Sequence, residues 1–164
     1  MINIKIAIVC SPGGHFTEMS TLIDVFKGYE AFLVTHSEKF NIGLDNVCPT
    51  YLIPNIIIDN THRNVFSKKL LLIIHMLIIT FYEAYIFLKE RPNIVISTGS
   101  EIAIPIFIIG TIFRVHTVYI ESITRINDIS ATGKIIYCFA DLFLVQHEKL
   151  LGMYPNAKYR GSVI

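Results

Sequence analysis

Short β-branched runs recur along the chain, and a helix-length segment follows most of them. Ile4–Cys10, Ala31–Thr35, Asn93–Ser97, Thr117–Glu121 and Leu142–Gln146 each read as a strand, with a weaker strand at Thr50–Pro54 and a short last one at Ala157–Arg160. Helical spacing appears over Phe16–Phe26, Lys68–Glu90, Ile102–Phe113, Lys134–Phe139 and His147–Met153, while Asn55–Ser67 is polar enough to be a loop. Near-continuous Ile/Val strands alternating with helices imply parallel βαβ units, hence an α/β, Rossmann-like parallel sheet with helices on both faces. With 164 residues, a single domain spanning 1–164 is expected.

Ligands of such a sheet bind beyond the carboxyl ends of its strands. Polar residues gather at those ends: Ser11-Pro-Gly-Gly-His15, Ser97-Thr-Gly-Ser100 and Glu121-Ser122. Gly13 and Gly14 allow a close backbone approach to a ligand. His15 has two readings. An imidazole titrates near neutrality and suits a base for an acceptor hydroxyl, or it simply bonds the turn. Ser97, Thr98 and Gly99 would hold a phosphate or sugar, or else Thr98 or Ser100 caps the next helix. Thr17 or Ser11 is the expected cap of the first helix. Glu121 ends an apolar strand, where a carboxylate needs a partner or a function; Arg125 is near enough in sequence to be that partner. Thr132-Gly133-Lys134 resembles the end of a Walker motif, but no strand feeds it and the earlier glycine is missing.

Charge and cysteine content narrow the classes. Fourteen basic and 13 acidic residues give a net charge of +1, which argues against nucleic acid as a partner. Cys10, Cys48 and Cys138 form no metal-type pair; Cys10 and Cys138 lie in apolar runs and are expected to be buried, reduced thiols, as suits a cytosolic compartment. His36, His62, His75, His116 and His147 show no ligand spacing, so no metal site and no cofactor is read.

Leu70–Leu88 holds 19 largely apolar residues, just enough to cross a bilayer core at about 1.5 Å per residue. A single crossing would part the strands on either side of it. His75 and Glu83 also raise the insertion cost, by about 2–3 kcal/mol for a central acid. A helix packed on the sheet with one face open to lipid is expected instead. Lys68, Lys69, Lys89 and Arg91 would then meet head groups.

The order Ser11-Pro-Gly-Gly-His-Phe-Thr-Glu-Met19, Ser97-Thr-Gly99, Tyr119-Ile-Glu-Ser-Ile-Thr-Arg125, Ser130-Ala-Thr-Gly-Lys134, Ala140-Asp141 and Val145-Gln146 resembles the Alg14 type of polysaccharide-biosynthesis protein over nearly the whole chain. The first motif and Tyr154–Gly161 also resemble the amino-terminal half of MurG. This resemblance implies the N-terminal half of a split GT-B glycosyltransferase. Such a half receives a lipid-pyrophosphate acceptor, while an Alg13-like chain binds most of the UDP-sugar. It implies that Gly13, Gly14 and His15 lie at the acceptor and sugar-transfer cleft and that Glu121, Ser122 and Arg125 line it or hold its loops. Taken with the residues at the strand ends, the expected site has His15 and Glu121 as catalytic residues and Ser11, Gly13, Gly14, Thr17, Ser97, Thr98, Gly99, Ser122 and Arg125 as substrate-binding ones. The chain starts on its first strand, unlike eukaryotic members with an N-terminal anchor, so attachment to the cytoplasmic face of a membrane is expected through Leu70–Leu88 or the partner. Two other readings stand beside it: a purely recruiting, non-catalytic subunit, and a nucleotide-sugar-binding module that acts alone.

Overall fold

The structure, a computed structural model, describes residues 4–36, 48–55 and 65–163. Their element order is β1 (Lys5–Val9), α1 (Gly14–Ser20), β2 (Glu30–Thr35), β3 (Thr50–Leu52), α2 (Val65–Glu90), β4 (Ile94–Ser97), α3 (Ala103–Ile112), β5 (His116–Ile120), α4 (Ala131–Ile136), β6 (Leu142–Val145) and β7 (Lys158–Tyr159). The strands form one sheet in the order β3-β2-β1-β4-β5-β6-β7, with every pairing parallel. Strand order reverses between β1 and β4, where Val9 pairs Ser97. The loops leaving these two strands therefore open side by side.

Alternation along β1 assigns the faces. Ala7 and Val9 join Ile79, Ile86, Phe87, Ile106, Phe107 and Ile136 in one core, under α2, α3 and α4. Ile6, Ile8 and Cys10 join Phe16, Met19 and Phe26 in the other, under α1 and the 3₁₀ turn Ile23–Phe26. Helices therefore lie on both faces, as the alternating pattern predicts. The second face is the more thinly covered. Ile94 and Ile96 of β4, Val118 of β5 and Leu142 and Leu144 of β6 are only half-buried there.

Several boundaries differ from the sequence reading. The helix expected over Phe16–Phe26 breaks after Ser20, because Ser20 and Thr21 hydroxyls donate back to Thr17 O and Glu18 O and favour a turn. The N-cap of α1 is Gly13, at φ +99°, with no side-chain cap; Thr17 Oγ1 donates to Gly13 O, and neither Thr17 nor Ser11 serves as the cap. α2 begins at Val65, three residues before the expected Lys68, because no breaker separates the two positions. The rest of the expected loop, residues 56–64 with His62, lies outside the described residues. Cys138 is exposed, not buried: it follows α4 two positions after the inward Ile136 and so points away from the core. Cys10 is buried, and its thiol is pushed up to about 12 by that burial.

On α2, His75, Ile79, Glu83, Ile86 and Phe87 form the inward stripe. Leu70, Ile73, Ile74, Leu77, Phe81, Tyr85 and Leu88 are exposed on the rest of the circumference. The segment Lys69–Glu90 is long and apolar enough to cross a membrane by length and composition, yet β1 and β4 pair directly within one sheet. Lys5 anchors the helix end, contacting Glu30 Oε1 at 2.5 Å and Glu90 Oε2 at 3.0 Å.

Candidate active site

The β1 and β4 loops are locked together by a reciprocal pair of hydrogen bonds. Thr98 Oγ1 donates to His15 O at 2.7 Å, and His15 Nδ1 lies 2.9 Å from Thr98 O. A carbonyl oxygen only accepts, so Nδ1 carries the hydrogen and Nε2 of the neutral ring keeps its lone pair. Gly99 makes this contact possible: a Cβ there would sit 2.5 Å from His15 Cε1, and its φ is +126°. Only glycine satisfies both conditions at once. Ser97 Oγ accepts from Gly99 N at 3.0 Å and sets the turn. Ser97, Thr98 and Gly99 are thus buried behind the imidazole. Neither Thr98 nor Ser100 caps α3, whose N-cap is Ile102 without a side-chain bond.

One turn further along α1, the buried Glu18 ties the helix to two more strand ends. Its Oε1 accepts from Ser122 Oγ at 2.7 Å and Ile123 N at 3.2 Å. Its Oε2 accepts from Gln146 Nε2 at 3.2 Å, and that amide also donates to Glu121 O at 3.0 Å. The sequence reading quoted Glu18 and Gln146 within the stretches that carry the resemblance but gave neither a place in the site. The available signals were a carboxylate at position 18, in step with the apolar residues Met19, Leu22 and Phe26, and an amide closing an apolar strand.

Glu121 lies beneath the loop and has no exposed surface. Its Oε1 accepts from Ser122 N at 2.9 Å; its Oε2 accepts from Ser130 N at 2.8 Å and Ser130 Oγ at 3.0 Å. Burial raises its carboxyl above the usual range, and these hydrogen bonds oppose the rise. Among the described residues it makes no ion pair with Arg125 within 4.0 Å; the Ser130 and Ser122 groups take that role. Gly133 packs against this carboxylate, where a Cβ would stand 2.1 Å from Oε2, and Lys134 pairs with Asp128. These contacts give the Thr132–Lys134 segment a structural use.

A cavity of about 210 Å³ opens at this mouth, lined by Gly14, His15, Glu18, Ser122, Thr124 and Arg125. Of the expected site residues, the fold therefore brings Gly14, His15, Ser122 and Arg125 to one wall. Ser97, Thr98 and Gly99 lie behind it, Glu121 lies under it, and Ser11, Gly13 and Thr17 sit around the turn. Nothing stands within 4 Å of where a Cβ on Gly13 or Gly14 would be, so the backbone there faces open space. Arg125 is exposed on the rim, with no ion pair among the described residues.

A second polar cluster stands near the ends of β2 and β4, which the sequence spacing did not reveal. His36, His75 and Glu101 each bring one donor atom within 4.8 Å of the other two.

The model of the family described as oligosaccharide biosynthesis protein Alg14 like matches residues 6–163. The chain belongs to the Alg14-like family. Among curated relatives, this Alg14-like chain is 23% identical to the UDP-N-acetylglucosamine transferase subunit ALG14 of Homo sapiens, over 99% of the chain and 84% of that protein. It is 25% identical to the ALG14 of Kluyveromyces lactis, over 100% of the chain and 80% of that protein. Among solved structures, Acinetobacter baumannii MurG superposes with a TM-score of 0.69 at 14% identity. That match covers 89% of this Alg14-like chain but 42% of MurG, so the shared fold accounts for less than half of the larger protein.

Proposed function

We propose that this chain is the acceptor-side subunit of a two-chain UDP-sugar glycosyltransferase, and that it also holds the assembly at the cytoplasmic face of a membrane. The acceptor is a lipid-linked pyrophosphate saccharide, the donor carries a hexose or N-acetylhexosamine, and an Alg13-like chain supplies the other half of the cleft. Family membership and the transferase-subunit names of the ALG14 relatives support this reading.

The observation that carries the chemistry is the His15–Thr98 clamp. It leaves Nε2 of His15 as a lone-pair acceptor on an imidazole that lines the cavity. In transfer, the acceptor hydroxyl oxygen attacks the anomeric carbon as the bond from that carbon to the UDP phosphate breaks. Nε2 takes the hydroxyl proton, and UDP leaves with the electron pair. Attack opposite the leaving group inverts the anomeric centre. Arg125 would pair with a phosphate through its planar fork, and the open backbone at Gly13–Gly14 would let a phosphate or sugar approach closely. Glu121 does not reach the reactants in this role; it positions the loop carrying Ser122 and Arg125. Ser11 and Thr17 would bind at the periphery of the turn.

The test is transfer by the reconstituted pair. His15→Ala should lower kcat by about 100-fold or more while the two chains still co-purify. Undiminished turnover would refute the base and favour a purely recruiting subunit.

A further inference from the structure

His36 follows the last residue of β2, His75 lies on the inward stripe of α2, and Glu101 follows β4. They are 65 or fewer positions apart in sequence, with no short spacing between them, and only the fold assembles them. The side chain of His36 is 3% exposed and His75 is 4% exposed, whereas the Glu101 side chain is 50% exposed. The cluster therefore has a buried floor and one ligand open to water.

Hydrogen placement makes the cluster unsatisfied. His36 Nδ1 lies 3.3 Å from Ile53 O, a pure acceptor, so the hydrogen of the neutral ring sits on Nδ1. Nε2 then turns a lone pair toward Glu101 Oε1 at 3.4 Å, and it makes no hydrogen bond. Nδ1 of His75 is also buried without a hydrogen-bond partner among the described residues. A proton shared between His36 and Glu101 would relieve that contact but leave His75 Nδ1 orphaned. A cation among the three would satisfy all of them.

We infer that His36, His75 and Glu101 form a binding site for a borderline divalent metal ion of the zinc class. Two imidazoles and one carboxylate are a donor set that zinc accepts, whereas Mg²⁺ and Ca²⁺ prefer oxygen alone. Zinc ligands at about 2.0–2.2 Å in a tetrahedron stand roughly 3.3–3.5 Å apart. The His36–Glu101 separation of 3.4 Å already meets that spacing, and His75, within 4.8 Å of both, has to close by up to about 1.5 Å, within the reach of a side-chain rotation. The His36 Nδ1 contact with Ile53 O is the kind of outer bond that fixes a ligating imidazole, and Ser100 Oγ, donating to Glu101 Oε2 at 2.7 Å, does the same for the carboxylate. The half-exposed Glu101 would leave water as the fourth ligand. The metal would pin α2 to the β4 loop that carries Thr98 and Gly99. This inference does not rest on the transferase reading.

The test uses the detergent-solubilised chain, stripped with chelator and titrated with zinc chloride alone by calorimetry, with cobalt chloride as an optical probe. One zinc per chain, a cobalt spectrum of tetrahedral type, and no comparable heat from magnesium are expected. Glu101→Gln and His75→Gln should each weaken zinc binding about tenfold or more and cancel the zinc-induced rise in Tm, while His116→Gln should change neither. Should the buried His75→Gln variant fail to fold, the half-exposed Glu101→Gln decides alone. The site is overturned if the parent chain binds no stoichiometric zinc, if Glu101→Gln binds as well as the parent, or if only His116→Gln loses binding.

Discussion

Glu18, Glu83 and Glu121 all lose contact with water, and each is accommodated differently. Glu18 and Glu121 collect hydrogen bonds from loop backbone, hydroxyls and an amide. Glu83, on the inward stripe of α2, finds no well-formed hydrogen-bond partner for either side-chain oxygen among the described residues, and burial raises its pKa well above the ordinary value, with the Ile106 backbone opposing only weakly. The folded chain thus holds a proton there that the unfolded chain releases. Between the unfolded and the raised folded pKa, stability falls as pH rises, by about 1.4 kcal/mol per unit of separation, and levels off above the folded value. Glu83→Gln removes this titration. Its Tm, measured from about pH 5 to about pH 8, should decline less than that of the parent chain; parallel curves would show that Glu83 ionises freely. At this scale the sequence was legible where a polar residue interrupts an apolar run, as at Glu121. It was silent where the partner is distant: Glu18 meets Gln146 across 128 positions.

The elements themselves were legible because period and composition agree. β1, β2, β4, β5 and β6 fall within about a residue of the β-branched runs. Ends set by hydroxyl side chains or by the absence of a breaker, as at Ser20 and Val65, were not. α2 carries the element-scale prediction. Leu77 is 65% exposed and Phe81 76%, on a face that continues from Leu70 to Leu88. Isolated exposed apolar residues are ordinary, but a continuous face of this length marks a contact with lipid or protein. Lys69, Lys89 and Arg91, at the helix ends and just beyond, are exposed and placed for anionic head groups; the Lys68 side chain lies outside the described ones. Replacing Leu77 and Phe81 together by Asp should leave the circular dichroism spectrum unchanged. Vesicle binding should fall roughly 100-fold, from the loss of about 3 kcal/mol of apolar burial. Unaltered co-sedimentation with anionic vesicles would assign this face to a protein partner.

At the scale of the molecule, the seven parallel strands among the described residues present an open mouth, and the larger enzyme of the same fold continues well beyond the matched part. The purified chain alone should therefore transfer no sugar above background, and addition of the second chain should restore turnover without any change to this one. Full activity of the isolated chain, free of other polypeptides, would remove the two-chain reading. The parallel sheet with helices on both faces followed from the alternation of elements, whereas the order of its strands came from the structure; the second chain was implied only by the family resemblance, since nothing in local periodicity records what lies across a cleft.

Glu18 holds α1 to the loop after β5 and to the end of β6, while Thr98 grips the same helix from β4. The short rod bearing His15 is moored at three points before any companion arrives. In the proposed two-chain enzyme, docking would have little left to organise on this bank of the cleft. Ordering costs usually charged to association would largely have been met during folding, and the imidazole would stand as a stationary landmark toward which a sugar is brought.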